Sequence, residues 1–106
     1  MRVRRYPTAD ITVQNLRRYL VTRFGQRTWL ETKAAIERTI ETICQYPLMG
    51  SLVDDETPAV KNWRQAITGK TRIIYKADGD TIYIAFIVDV RQDLGKLFDM
   101  LLMAKL

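Results

Sequence analysis

The chemistry open to this 106-residue chain is set first by what it lacks. It has no histidine and a single cysteine, Cys44. A proton relay built on imidazole, a His-containing zinc site and a thiolate metal cluster are therefore excluded. The phosphate-binding pattern GxxxxGK[ST], the dinucleotide pattern GxGxxG and the nucleophile elbow GxSxG do not occur. What remains is lysine, arginine, carboxylate and hydroxyl chemistry. The cations are in excess, 17 Lys and Arg against 12 Asp and Glu, with a net charge of +5 and a pI near 9.6. That balance points to an anionic partner: nucleic acid, an acidic protein or a membrane surface. Arginine stays charged at any working pH, so it stabilises anions well and shuttles protons poorly. No cofactor and no metal are expected.

A small scaffold must position these groups. The length fits one domain, 1–106, with a modest core. There is no apolar run of 18 residues to span a membrane. The basic start Met1-Arg2-Val3-Arg4-Arg5 lacks the apolar stretch and cleavage site of a secretion signal. One cysteine fits a reducing cytoplasm.

Arg2–Tyr6 reads as a short strand ended by Pro7. Thr8 is expected to cap a helix, with Asp10 in its first turn. Ala9, Val13, Leu16, Leu20 and Phe24 then recur at helical spacing, and Arg17, Arg18 and Arg23 lie off that stripe. Gly25 is a stop signal. Thr28-Trp29-Leu30-Glu31 has the form of a capping box. It opens a second helix with Trp29, Lys33, Ile36, Ile40 and Ile43 on one stripe, ending at Pro47. A link of only Gln26 and Arg27 implies an antiparallel helical hairpin. Pro47–Ala59 reads as a loop carrying the acidic patch Asp54-Asp55-Glu56. Val60–Thr68, Lys70–Ala77 and Thr81–Val90 read as three antiparallel strands, with Asp78-Gly79 as a hairpin turn. The third is apolar on both faces and should be central. Leu94, Leu97, Phe98, Leu101 and Leu102 mark a last amphipathic helix. The expected class is α+β.

Tyr46-Pro47-Leu48-Met49-Gly50, then Trp63-Arg64, Thr71-Arg72-Ile73-Ile74-Tyr75, Asp80-Thr81-Ile82-Tyr83-Ile84 and Asp89-Val90-Arg91-Gln92-Asp93-Leu94 together resemble the RelE/ParE superfamily. These are bacterial toxins of type II toxin–antitoxin (plasmid stabilisation) systems. The resemblance covers nearly the whole chain and implies a cognate acidic antitoxin joined to the toxin in a hetero-oligomer. It also implies one of two targets. RelE-like members cut messenger RNA on the ribosome; ParE-like members poison DNA gyrase by binding. On the RelE side the nuclease candidates would be Arg64, Arg72 and Arg91. Phe98 stands where a catalytic tyrosine is expected, and the second strand is poor in lysine. On the ParE side, Ile87-Val88-Asp89-Val90-Arg91-Gln92-Asp93-Leu94 leads into a long last helix, although Asp89 replaces a frequent histidine. The resemblance favours the ParE branch, with Arg72, Arg91, Phe98, Met100 and Met103 facing the target and Arg17, Arg18 and Trp29 facing the antitoxin.

Each residue also has a plainer reading. Arg72 shares a strand face with Ile74 and Lys76; it could be a surface arginine paired with Asp89, whose loss would cost less than about 1 kcal/mol. Arg91 could simply position the last helix, and Asp93 could cap it. Trp29, Trp63, Tyr75 and Tyr83 read as packing residues, Cys44 as a small buried hydrophobe, and Met100 and Met103 as peripheral core. A plain basic nucleic-acid binder is a third functional reading, with no groove-reading motif to support it.

Overall fold

The structure, a computed structural model, describes residues 1–53 and 61–103. In chain order it comprises β1 (Arg2–Arg5), α1 (Pro7–Phe24), α2 (Gln26–Gln45), β2 (Ser51–Leu52), β3 (Arg64–Thr68), β4 (Thr71–Asp78), β5 (Thr81–Asp89) and α3 (Leu94–Met103). The expected α+β class holds. The sheet has five strands, in the order β1-β5-β4-β3-β2, instead of the three expected. The antiparallel trio β3-β4-β5 is extended at one edge by β1, parallel to β5, and at the other by two residues of β2. A two-residue strand leaves no periodicity to read, and β1 pairs with a strand about 80 positions away in the chain.

Two helix starts differ from expectation. Thr8 is not a cap: α1 begins at Pro7, whose fixed φ suits the first turn, and Thr8 is buried inside it. The Thr28 capping box does not form either. Gln26 and Arg27 are good helix formers and are already helical, so Gly25 alone joins the two helices. Its φ of 97° is open to glycine and strained for other residues. Phe24 was expected on the apolar stripe; it is 59% exposed, against Tyr19. Strand β3 starts at Arg64, after a turn in which Asn62 has a positive φ. The acidic patch Asp54-Asp55-Glu56 and the expected strand start at Val60 lie outside the described residues, as do the side chains of Leu101 and Leu102.

The sheet separates two cores. On one face Ala9 and Leu16 of α1 and Ile36 and Ile43 of α2 pack against Ile73, Tyr75, Ile82, Ile84 and Ile87. On the other, Leu97 and Phe98 of α3 pack against Trp63, Ile74, Phe86 and Val88. Burial on both faces explains why β5 reads as a continuous apolar run. It carries a bulge: Ile74 pairs with Phe86 and Tyr75 with Ile84, which leaves Ala85 unpaired. Ala85 and Phe86 consequently both join the α3-side core. On that side Lys76 places its ammonium 5.1 Å from the centre of the Trp63 ring and 5.8 Å from that of Tyr83.

Two sets of hydrogen bonds fix the frame. Tyr75 is fully buried, and its hydroxyl donates to Pro47 O (2.8 Å) while accepting from Gly50 N (2.9 Å). A Cβ on Gly50 would sit 2.7 Å from Gln65 O and 2.8 Å from that hydroxyl, so no larger residue fits. The Pro-x-x-Gly turn is thereby clamped to the sheet.

The second set lies at the edge of β5, where β1 stops opposite Ile84. Beyond that point α1 takes over. Tyr6 N donates to Ile84 O (2.9 Å), Thr8 Oγ1 donates to Ala85 O (2.7 Å), and Ile87 N donates to Thr12 Oγ1 (3.1 Å). Thr12→Val keeps the side-chain shape and leaves the Ile87 N–H without its partner. A loss of about 1–3 kcal/mol is expected by urea denaturation. Thr39→Val serves as the comparison, because that hydroxyl bonds only Ala35 O within its own helix. Equal effects of the two substitutions would remove the edge contact from the account.

Candidate functional site

Strand β5 ends at Asp89, and Val90–Asp93 carry the chain to α3. Backbone bonds make this junction rigid: Val90 N donates to Lys70 O (2.9 Å) and Gln92 N to Asp89 O (3.0 Å). Asp93 caps α3 as its position suggests, its Oδ1 accepting from Lys96 N at 3.1 Å. Arg72 reaches the same segment, its Nη2 donating to Val90 O at 2.9 Å.

The surface-arginine reading of Arg72 is therefore corrected. It is half-buried, its Nε is buried without a hydrogen-bond partner, and it does not pair with Asp89. Its cross-strand neighbours are Ile67 and Val88, so the guanidinium lies on the α3 side of the sheet.

Asp89 pairs with Arg91 instead. One carboxylate oxygen accepts from both the backbone N and the Nε of Arg91, each at 2.9 Å. Arg91 Nη2 extends to the Tyr19 hydroxyl of α1 at 3.4 Å. The acid is shielded and the base is not, with side-chain exposures of 18% and 74%. Hydrogen bonding from Arg91 holds the Asp89 carboxyl below its usual range, and the pairing raises the already high pKa of Arg91.

Around this pair lies a cleft of roughly 700 Å³ between α1 and α3. Leu16, Val88 and Leu97 contribute its apolar lining, Arg91 and Lys96 its cations, Asp89 and Asp93 its carboxylates, and Asn15, Tyr19, Gln92 and Met100 its remaining outer groups. This arrangement offers a fixed guanidinium and a nearby ammonium beside an apolar surface. With Asp89 and Asp93 balancing the two cations, it suits docking of a mixed polar and apolar surface more than it suits proton transfer.

Of the residues assigned to the target, Arg91 and Met100 line the cleft, and Met103 is 84% exposed beyond it. Phe98 does not face a partner. It is 4% exposed, edge-on to Phe86 at 5.8 Å and tilted against Trp63 at 6.1 Å. Its place one turn from Leu94 and one residue from Leu97 puts it on the buried face of α3.

The three nuclease candidates do not converge. Arg64 is opposite Tyr75 and so on the hairpin side of the sheet, where its Nη1 donates to Gly50 O at 2.8 Å. Arg72 is on the other side. Among the antitoxin candidates, Arg17 and Arg18 are exposed, but Trp29 is largely buried at 8% exposure. Trp29 borders a hollow of about 400 Å³ between α1 and α2, with Val13, Ile36 and Ile40 around it and Arg5, Arg17 and Lys33 at its polar side.

Tyr19 and Lys96 were not legible as site residues. Tyr19 lies off the apolar stripe of Leu16 and Leu20, and no local spacing ties it to Arg91. Among the described residues, no cluster of acidic, cysteine or histidine side chains could hold a metal ion, and no helix is long and apolar enough to cross a membrane.

The depressed Asp89 pKa fixes the sign of a pH effect. A carboxyl whose pKa is lowered by folding stabilises the fold while ionised, and that contribution disappears as the pH falls through the lowered value. The stability gap between the parent protein and Asp89→Asn should be constant above about pH 5 and close below about pH 4. Denaturant melts across that range decide; a gap that widens on acidification contradicts the assignment.

No curated protein sequence matches the chain closely enough to report. Residues 3–94 match the family described as ParE toxin of type II toxin-antitoxin system, parDE. Among solved structures, the fold is similar to one from the chromosomal ParDE TA system from P. aeruginosa, with a TM-score of 0.66 and 16% identity. That match covers 84% of this chain and 95% of the other. At such low identity the structural likeness supports the fold. The family match runs from β1 to the first residue of α3, and on that ground the chain belongs to the ParE toxin family of type II toxin–antitoxin systems.

Proposed function

We propose that this ParE-family toxin acts in the bacterial cytoplasm by binding DNA gyrase, and that a cognate acidic antitoxin neutralises it within a hetero-oligomeric complex. The observation that carries the binding mode is the separation of Arg64 from Arg72. Cleavage of RNA through its own 2′-hydroxyl needs a general base, a general acid and cations gathered on one phosphate. Here the two sheet arginines lie on opposite faces, each bonded to a backbone carbonyl. The position expected to carry a tyrosine is a core phenylalanine.

What the surface does offer is a docking cleft. Arg91 is oriented by Asp89 and Tyr19, Lys96 stands nearby, and Met100 gives a flexible apolar contact. A toxin seated on gyrase through these groups would trap the cleaved DNA intermediate and leave messenger RNA intact. The purified protein should inhibit supercoiling by gyrase and cause linear DNA to accumulate after protein removal. Arg91→Glu should weaken inhibition at least about tenfold, in line with losing and reversing a charge at a contact. Codon-linked cuts in mRNA, mapped by primer extension with gyrase unaffected, would transfer the chain to the ribosome-dependent nucleases.

The hollow between α1 and α2 suits the antitoxin, because its apolar lining is bordered by the three cations Arg5, Arg17 and Lys33 against one carboxylate, Glu37. An acidic segment that folds as it binds would cover both. The product of the neighbouring reading frame should co-purify with this chain, and Arg17→Glu combined with Lys33→Glu should reduce its affinity by about tenfold or more. Undiminished affinity of that double variant would place the antitoxin elsewhere on the toxin.

A further inference from the structure

One stretch of this chain is free of charge and yet exposed. Thr42–Val53 runs from the last turn of α2 through the Pro47 turn into β2, twelve residues with no Lys, Arg, Asp or Glu. The next longest such run, Thr81–Val88, has eight residues, and burial of β5 accounts for it. Burial does not account for the first. Tyr46, Leu48, Met49 and Leu52 fall within seven residues and are between 47% and 68% exposed.

These side chains stand on a fixed support. Met49 N donates to Tyr46 O at 3.0 Å, and the Tyr75 hydroxyl ties Gly50 to the sheet. An aromatic, a methionine and two leucines without a charge among them have the composition of an interface core. Backbone groups lack a partner at the same place. β2 is the outermost strand, across the sheet from β1. Val53 N donates inward to Trp63 O, so the alternation of an antiparallel ladder turns the N–H and C=O of Leu52 outward. Among the described residues, no strand pairs with them.

We propose that this edge joins two copies of the chain about a two-fold axis, β2 against antiparallel β2, with Leu52 opposite its own counterpart. A residue whose N–H and C=O both face outward can exchange two hydrogen bonds with its copy, and a two-fold contact sets the apolar patch against itself. Charge selects this occupant. Two chains of net charge +5 repel, and an uncharged surface is where they approach with least repulsion. An acidic partner gains nothing from an uncharged run. Arg64, on the same side of the sheet as Leu52, is turned back onto Gly50 O. None of the four exposed side chains lines the α1–α3 cleft or the α1–α2 hollow, so the dimer presents both surfaces twice. The pairing does not rest on the choice of gyrase as target.

Sedimentation velocity of the full chain is the test. The patch is small, so association is weak and is followed up to about 200 µM. The 12.4 kDa chain should reach twice its mass and no more, and salt should tighten the dimer by screening like net charges. Leu48→Lys combined with Leu52→Lys should weaken dimerisation at least about tenfold. Ile11→Lys combined with Leu30→Lys adds the same charge at exposed apolar residues away from this edge, and should weaken it less than about threefold. Circular dichroism confirms that both variants keep the fold. In a Cys44→Ser background, Leu52→Cys should form a disulfide-linked dimer on mild oxidation, because Cα atoms in such a pair are about 5.5 Å apart. Ile67→Cys, exposed on β3, should not. A chain that stays at one mass, growth beyond two copies, equal loss in the two double variants, or weakening by salt would each overturn the proposal. So would a monomeric parent whose Leu48 and Leu52 variant loses affinity for the product of the neighbouring reading frame, which would give this edge to the antitoxin.

Discussion

The architecture depends on how the outer edge of β5 is closed. Strand β1 pairs with β5 only as far as Ile84, and the bulge at Ala85 follows at once. Without a further partner, backbone groups of the most buried strand in the protein would be left unpaired, which costs about as much as a lost buried hydrogen bond for each. Tyr6, just before α1, and Thr8 and Thr12 of the helix supply that partner. Because these contacts come from the first turns of the helix, they also fix where α1 crosses the sheet. That crossing decides where Leu16 enters the core and where Tyr19 meets Arg91. It turns Arg18 away from the core stripe and sets Arg17 at the rim of the hollow between α1 and α2.

The sheet then sorts the remaining chemistry by parity. Side chains alternate across a strand, and residues opposite one another on neighbouring strands share a face. Arg64 shares the hairpin side with Tyr75, and Arg72 shares the α3 side with Val88. Each has a backbone task. Arg64 helps to hold the turn at Gly50, and Arg72 holds the turn at Val90. Arginine suits such work because several N–H groups can reach carbonyls while the charge remains. Their conspicuous sequence positions reflect the anchoring of two connections, and Arg91, which is carried by one of those connections, is left to face the solvent.

Much of this was legible in the sequence where burial imposes a period. The stripes through Leu16, Ile36 and Ile43, the doubly apolar run from Ile82 to Val88 and the cap at Asp93 follow from local pattern alone. The turn after Asp78 was legible as well, with Asp78 and Thr81 paired across it. Long-range pairing was not legible. β1 and β2 are too short to show alternation, and nothing near Thr8 or Thr12 signals that their hydroxyls serve a strand more than 70 residues away. Thr8 and Thr28 look like helix caps because cap signals are local, whereas burial of Thr8 and the helical preference of Gln26 and Arg27 decide the outcome. At the site, the resemblance put Phe98 and Trp29 on binding surfaces, whereas the helical stripes they share with Leu97 and with Ile36 and Ile43 pointed to burial, and burial is what the structure has.

Small size links the fold to the placement of its contacts. A chain of this length has a thin core, and both sheet faces are already occupied by helices. Its free chemistry is consequently pushed outward: to the end of β5 and to the groove between α1 and α2. The helix that closes the β5 edge borders both. A partner that pulls on α1 therefore acts on the threonine contacts that hold the sheet edge, and a partner that presses α1 onto β5 reinforces them. A ligand held at the end of β5 or in the groove between α1 and α2 only by the closed arrangement would favour that arrangement by mass action, so the coupling to stability would run through this one helix.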